Sequence, residues 1–136
     1  PDARDSGSYG VWSSVSALSA AKTTYGAAGE ENSALIAGGT GGAPMELYDG
    51  THWAKGPSLI ANRRSLDGFG TQNSAVMAGG YPNDYLSCTE EWNGSTWASG
   101  TSLITGRHDP MGGAGVSSNS GIIVGGMVYP ALSKLV

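Results

Sequence analysis

The chain of 136 residues is long enough for one domain, and its 7 basic and 11 acidic residues give a net charge of −4. Because only 13% of the residues are charged and they form no basic stripe, the composition predicts no nucleic-acid partner. The longest apolar runs are far too short for membrane insertion, and the one cysteine, Cys88, excludes an intrachain disulfide.

The start of the chain is predicted to be a lead-in followed by one strand. Residues 1–8 are polar and contain glycine, so an irregular conformation is expected there. Residues 9–18 contain Trp12 and are predicted to form a strand of the kind that ends each later repeat. A helix over residues 14–22 is rejected, because the counterparts of this segment contain Pro57 and Gly100 and the chain has 23 glycines.

The whole chain is predicted to be one segment of three repeats, at about residues 9–59, 60–103 and 104–136. Each repeat is built of short strands, lettered a to d in chain order. The predicted strands of the first complete set are residues 22–29, 33–38, 45–48 and 52–59, and those of the second are residues 64–70, 74–79, 87–92 and 96–103. The third set supplies residues 111–115 and 121–125 and a weaker c strand near residues 128–132, and it lacks strand d.

Three landmarks recur in register along the chain. Glycine pairs follow strand b, 41 and 46 residues apart, at Gly38-Gly39, Gly79-Gly80 and Gly125-Gly126. Tryptophans recur 41 and 44 residues apart, at Trp12, Trp53 and Trp97. A leucine follows each tryptophan by six residues, and a basic residue follows each leucine by four. A period of forty-odd residues built of short strands is typical of propeller blades.

The repeated residues have architectural roles in such blades. A glycine pair at the end of strand b allows positive φ and a close approach of neighbouring chain. Asp49-Gly50 and Asn93-Gly94 suit the tight turn between strands c and d. Each tryptophan is expected to pack between adjacent blades, so Trp53 and Trp97 are predicted to be buried.

Together these motifs resemble kelch repeats over residues 9–132. The resemblance includes the doubled glycines, the spaced tryptophans and the arginines that follow them, Arg63 and Arg107. The segment Glu-Glu-Trp-Asn-Gly-Ser-Thr-Trp at residues 90–97 also resembles kelch-like propellers of bacteriophage virion and tail proteins. The resemblance implies an all-β fold of kelch-like β-propeller blades. Propellers have four to eight blades, whereas this chain supplies about three, so an incomplete ring is expected.

The predicted strand order, d, abcd, abcd, abc, leaves a strand unpaired at each end. An open arc of blades exposes sheet faces and edges that natural proteins cover. We therefore expect the partners to be other copies of the chain, or further blades of a longer parent, joined head to tail. The strand that carries Trp12 would then lie in an interface.

No catalytic constellation is found in the sequence. Copper radical oxidases, which resemble some kelch-type propellers, need two convergent histidines, whereas His52 and His108 are predicted on opposite propeller faces. Sialidase-type Asp boxes place tryptophan five residues after aspartate, but Trp53 follows Asp49 by four. No hydrolase elbow, zinc helix or phosphate loop occurs. We therefore predict no enzyme activity, no metal and no cofactor.

Two functions from different classes remain. The first is a structural or assembly module at a virion or extracellular surface, such as a fibre, tail or decoration protein, suggested by the low charge and the Gly/Ser/Thr background. The second is a glycan- or protein-binding adhesion module, because the b–c and d–a connections open on one face and carry residues that break the repeat. Its candidate binding residues are Tyr81, Asn83, Tyr85, Arg107 and His108. Arg63 and Arg107 have a second interpretation, as struts between blades.

Overall fold

The computed structural model describes residues 12–81 and 85–128, and every regular element within them is a β-strand. The ten strands are β1 (Gly26–Glu30), β2 (Ser33–Ala37), β3 (Met45–Tyr48), β4 (Trp53–Gly56), β5 (Asp67–Thr71), β6 (Ser74–Ala78), β7 (Thr89–Trp92), β8 (Trp97–Ser99), β9 (His108–Ser117) and β10 (Ser120–Met127). They form three antiparallel sheets, ordered β1-β2-β3-β4, β5-β6-β7-β8 and β9-β10. The predicted all-β fold of propeller blades is confirmed.

Each four-stranded sheet is a blade whose strands lie side by side in chain order. The b strands, β2 and β6, are largely buried because they are apolar and lie in the middle of their sheets. Both end at the predicted glycine pairs, where Gly38 and Gly39 have φ of 76° and 91° and Gly79 and Gly80 have φ of 64° and 109°. These angles are costly for residues with a side chain, so the pairs are architectural.

The a strands begin later than predicted. Strand β1 begins at Gly26 instead of residue 22, and β5 begins at Asp67 instead of residue 64. The reason is a repeated left-handed residue, Thr24 with φ of 60° and Ser65 with φ of 57°, which is incompatible with an extended strand. The residues before it belong to the connection between blades.

The third sheet differs from the prediction in having two strands within the described residues. Strands β9 and β10 are longer than their counterparts and contain two register shifts. Val128 lies in no strand, and the rest of the predicted c strand, residues 129–132, falls outside the described residues. Strand β10 therefore has β9 on one side and, among the described residues, no strand on the other.

The strand predicted at residues 9–18 is also corrected. Residues 1–11 lie outside the described part, and residues 12–18 form no strand. The side chain of Trp12 is fully exposed, at 103%. Within residues 12–18 the chain has no neighbouring strands a to c to pair with, so a d strand cannot form there.

The core lies between the first two blades. Strand β1 packs against β5, and β5 packs against β9, so the a strands adjoin. The core includes Leu35, Met45, Leu59, Met77, Trp92 and Trp97. Trp97 is 9% exposed, and its indole N–H donates to the carbonyl oxygen of Pro57 in the first blade at 3.0 Å, which confirms its predicted burial between blades. Trp53 is half-buried against Tyr48, with ring centroids 5.0 Å apart, so the prediction of full burial was wrong for this residue. Among the described residues, no sheet lies before the first blade to cover the outer side of Trp53.

Candidate functional site

The connection between the first two blades places a buried arginine against strand c of the second. The guanidinium of Arg63 is fully buried, and its Nη1 donates to the carbonyl oxygens of Gly79 at 3.0 Å and Cys88 at 2.9 Å. Its Nη2 donates to Oε1 of Glu90 on β7 at 3.0 Å. The Glu90 carboxylate also accepts from the backbone N–H groups of residues 60–61 at 2.6 and 3.2 Å. We call such a cation–carboxylate pair between blades an interblade strut.

The same strut holds the first blade. Nζ of Lys22 lies 2.7 Å from Oε1 of Glu46 on β3, and the two side chains are 4% and 1% exposed. The backbone N–H of Ser19 donates to the other carboxylate oxygen at 2.8 Å. Burial raises the pKa of Glu46, but the bonds from Lys22 and Ser19 outweigh this effect, and the pKa lies below its usual value. Residues 19–22 thus dock on the first blade as residues 60–63 dock on the second.

Arg107 occupies the third strut position. Its Nη1 donates to the carbonyl oxygen of Gly125 on β10 at 2.6 Å, which is the counterpart of the bond from Arg63 to Gly79. Among the described residues, Arg107 contacts no carboxylate. Arg63 therefore forms a complete strut, whereas Arg107 makes the backbone bond of a strut and has no carboxylate partner among the described residues.

Three aromatic side chains meet on the face where the b–c and d–a connections open. The ring centroids of Tyr81 and Tyr85 are 6.0 Å apart, and the ring of His108 lies 5.2 Å from Tyr81 and 4.6 Å from Tyr85. The guanidinium of Arg64 lies 5.6 Å from the centre of the Tyr81 ring. Tyr81 is held there by a backbone bridge to Arg64. We call Tyr81, Tyr85 and His108 the aromatic cluster.

The structure thus brings together three of the five predicted binding residues. Asn83 lies outside the described residues, and the side chain of Arg107 bonds to β10 instead of joining the aromatic cluster. Arg64 contacts the cluster but was left out of the predicted site. The signal in the sequence was its position, since Arg64 occupies the place in its repeat that His108 occupies in the next.

A small cavity lies beside the aromatic cluster. Its volume is about 130 Å³, and it is lined by the glycine loop at residues 39–42 and by Asn62, Arg64 and Tyr81. An aromatic ring offers a flat apolar surface, while the amide and the guanidinium offer hydrogen-bond partners. Nδ1 of His108 is buried, and no described residue forms a hydrogen bond with it. This combination suits a ligand with both apolar and hydroxylated surface.

Asp49 and Asn93 occupy the same position in the turns between strands c and d. The carboxylate of Asp49 accepts from the N–H groups of Thr51 and His52 at 2.8 and 2.7 Å, and these bonds lower its pKa. Asn93 accepts the equivalent two bonds in the second blade. Within residues 12–81 and 85–128, no three His, Cys, Asp or Glu side chains are grouped to bind a metal. A helix able to cross a membrane is also absent from this part.

Comparisons with known proteins identify a similar fold. No protein-family model matches the sequence, and no curated protein matches it. Among solved structures, the chain is similar to that described as "Structure of YjhT", with a TM-score of 0.69 and 12% sequence identity. The match covers 84% of this chain and 37% of the other, so the chain spans well under half the length of that protein. At this identity the similarity shows the fold alone.

Proposed function

We propose that the chain is a non-enzymatic structural module that completes its propeller by association with further blades. The observation that carries the proposal is the graded exposure of the repeat tryptophans. Trp97, flanked by its own strand c and by the preceding blade, is 9% exposed, whereas Trp53 is half-buried and Trp12 is 103% exposed. The same residue at the same repeat position is buried only where a neighbouring blade covers it. The side of the chain that bears Trp12 is therefore suited to a partner blade.

The opposite side of the arc supports the same proposal. Val116, Ile122, Val124 and Met127, on β9 and β10, are between 46% and 64% exposed. Exposed apolar side chains that are contiguous in one sheet mark association surfaces. A two-stranded sheet is also marginally stable unless something packs on it. A head-to-tail contact covers both sides at once, giving a ring if the rotation closes and a filament if it does not.

The low charge and the Gly/Ser/Thr-rich background favour a module displayed on a particle, and we propose a virion or extracellular surface as its location. The resemblance of the sequence of residues 90–97 to kelch-like propellers of bacteriophage virion and tail proteins supports the same location.

Sedimentation velocity of the intact chain tests the assembly. We expect a species of two or more chains, and we expect deletion of residues 1–18 to abolish it and to leave an aggregation-prone product. Trp12→Ala is the point variant matched to this deletion, and it should weaken the assembly without unfolding the chain. The reason is that the Trp12 side chain is fully exposed, so its loss leaves the described blades unchanged. A soluble, folded monomer of 13.7 kDa with Trp12 open to a fluorescence quencher would refute the proposal.

The aromatic cluster favours a second candidate function, binding of a glycan or of a protein surface. A glycan array probed with the intact chain tests this candidate, and Tyr85→Ala is expected to lose binding while keeping its fold. Tyr85→Phe is the control, because it retains the ring that contacts His108. Unaltered binding by a variant with both Tyr81 and Tyr85 replaced by alanine would exclude the cluster as the site.

A further inference from the structure

The two complete blades place their strut carboxylates in identical register. Glu46 on β3 lies opposite Ile36 on β2, and Glu90 on β7 lies opposite Met77 on β6. Ile36 and Met77 each precede the first glycine of their pair by two residues. The corresponding residue of β10 is Ile123. The third sheet therefore has a defined position opposite Ile123, where both complete blades carry a carboxylate. This position lies on the edge of β10 that pairs with no strand of the described residues, which we call its free edge.

The hydrogen-bond donors for that carboxylate are present. Arg107 already bonds to Gly125 as Arg63 bonds to its own blade. The backbone N–H groups of Ile104 and Thr105 occupy the repeat positions of residues 60–61, which bind Glu90. The described part of the chain supplies no acceptor for these two groups. A guanidinium and two adjacent N–H groups are a strong combination for binding one carboxylate.

A cavity of mixed polarity lies next to this edge. Its volume is about 280 Å³, and its lining combines apolar residues, among them Val76, Leu103 and Ile123, with the polar residues Thr89, Glu91 and Thr101. Thr101 is the repeat counterpart of Pro57, whose carbonyl oxygen accepts the bond from the Trp97 indole. Leu59 is 4% exposed beneath Trp97, whereas its counterpart Leu103 is half-exposed. The cavity is thus the position of a tryptophan that the next c–d hairpin would bring.

We propose that the free edge of β10 accepts an acidic c–d hairpin from a partner polypeptide, with its carboxylate opposite Ile123 bound by Arg107 and its tryptophan in the cavity. This inference rests on the proposed function and specifies the partner segment. The chain's own carboxylate-bearing strands, β3 and β7, lie inside their sheets and are already paired on both sides. Addition of an extended strand to a sheet edge is an established mode of peptide recognition, in which backbone bonds give affinity and side-chain pockets give specificity.

The test uses the intact chain and a synthetic peptide that copies residues 87–99, with Cys88→Ser to prevent oxidation. Binding is measured by fluorescence anisotropy of the labelled peptide. We expect saturable binding that Glu90→Gln in the peptide weakens by about tenfold or more, because a buried charge-assisted bond is lost. Glu91→Gln in the peptide is the matched control, since it makes the same charge change on the opposite face of the strand, and it should change the affinity by less than about twofold.

Substitutions in the chain locate the site. In the chain, Arg107→Gln should make the parent peptide and its Glu90→Gln form bind with equal affinity. Arg64→Gln in the chain should leave the difference in affinity between the two peptides unchanged. The inference is overturned if the peptide does not bind, if both peptide variants bind alike, or if the difference survives Arg107→Gln. A chain that self-associates in sedimentation but does not discriminate the peptides overturns this inference and leaves the proposed function standing. A monomeric chain that binds the peptides as expected refutes self-assembly and supports the docking of an acidic hairpin on β10.

Discussion

Replacing Arg63 by methionine should lower the free energy of unfolding by about 3 to 5 kcal/mol, the range for removing one partner of a buried ion pair. The arginine side chain is fully buried, and its loss leaves the Glu90 carboxylate inside the protein without a cation. Three carbonyl oxygens, of Met77, Gly79 and Cys88, lose a donor at the same time. Methionine retains most of the apolar stem, so the loss reports the polar contacts more than a cavity.

The backbone bonds to Glu90 decide where in this range the result falls. The Glu90 carboxylate keeps the bonds from the N–H groups of residues 60–61, which partly stabilise its charge. The expected loss of unfolding free energy is therefore nearer about 3 kcal/mol. Adding Glu90→Gln to Arg63→Met removes the uncompensated charge and should recover about 1 to 2 kcal/mol. The double variant therefore separates the cost of the orphaned carboxylate from the cost of the lost carbonyl bonds.

Urea unfolding followed by tryptophan fluorescence measures these values, because Trp92 and Trp97 lie in the same core. Arg64→Met is the control, since Arg64 is the next residue along the connection and makes a ring contact instead of a strut; its cost should stay below about 1 kcal/mol. If Arg63→Met costs no more than Arg64→Met, the interblade strut does not hold the blades together.

Three further results are expected from the same unfolding assay. Trp97→Ala should lower the free energy of unfolding by about 3 to 5 kcal/mol and Trp53→Ala by about 1 to 2 kcal/mol, because only the indole of Trp97 is packed between blades. A cost below about 1 kcal/mol for Trp97→Ala would refute the blade assignment. Since the folded pKa of Glu46 lies below its ordinary value of 4.5, its stabilising contribution is present above that pH and is lost as the pH falls through the folded pKa. Unfolding measured from pH 7 to pH 3 should show this loss, and removal of its lysine partner should flatten it. Gly38→Ala should cost about 2 kcal/mol or more, because its φ is 76° and a Cβ would lie 2.8 Å from a backbone oxygen. Gly41→Ala, with φ of 93° and open space around it, should cost less, and equal costs would show that close packing at Gly38 plays no part.

The candidate site was predictable from the sequence only in part. Tyr81, Tyr85 and His108 were grouped because they lie in connections that open on one propeller face, and they do meet there. Arg64 lies in the same connection but was not among the predicted binding residues; in the fold Arg63 points into the second blade and Arg64 lies over a ring. The left-handed Ser65 that follows this pair is not predicted by a propensity scale either, so the local path of the connection is known only from the fold.

The sequence by itself determined the features that depend on local backbone chemistry. The glycine pairs, the Asp-Gly and Asn-Gly turns and the apolar b strands are each specified within a few residues, and β2, β3 and β6 lie within a residue of their predicted ends. The tertiary structure decided what depends on contacts between blades. The partners in the struts are 24 and 27 residues apart, and the bond from Trp97 to Pro57 spans 40. The Lys22–Glu46 pair forms only when the segment before the first blade docks on it, and the other two bonds form only when the second blade packs against the first. The burial of Trp97, the partial exposure of Trp53 and, among the described residues, the missing carboxylate beside Arg107 therefore depend on the neighbours that each blade has and not on its own residues.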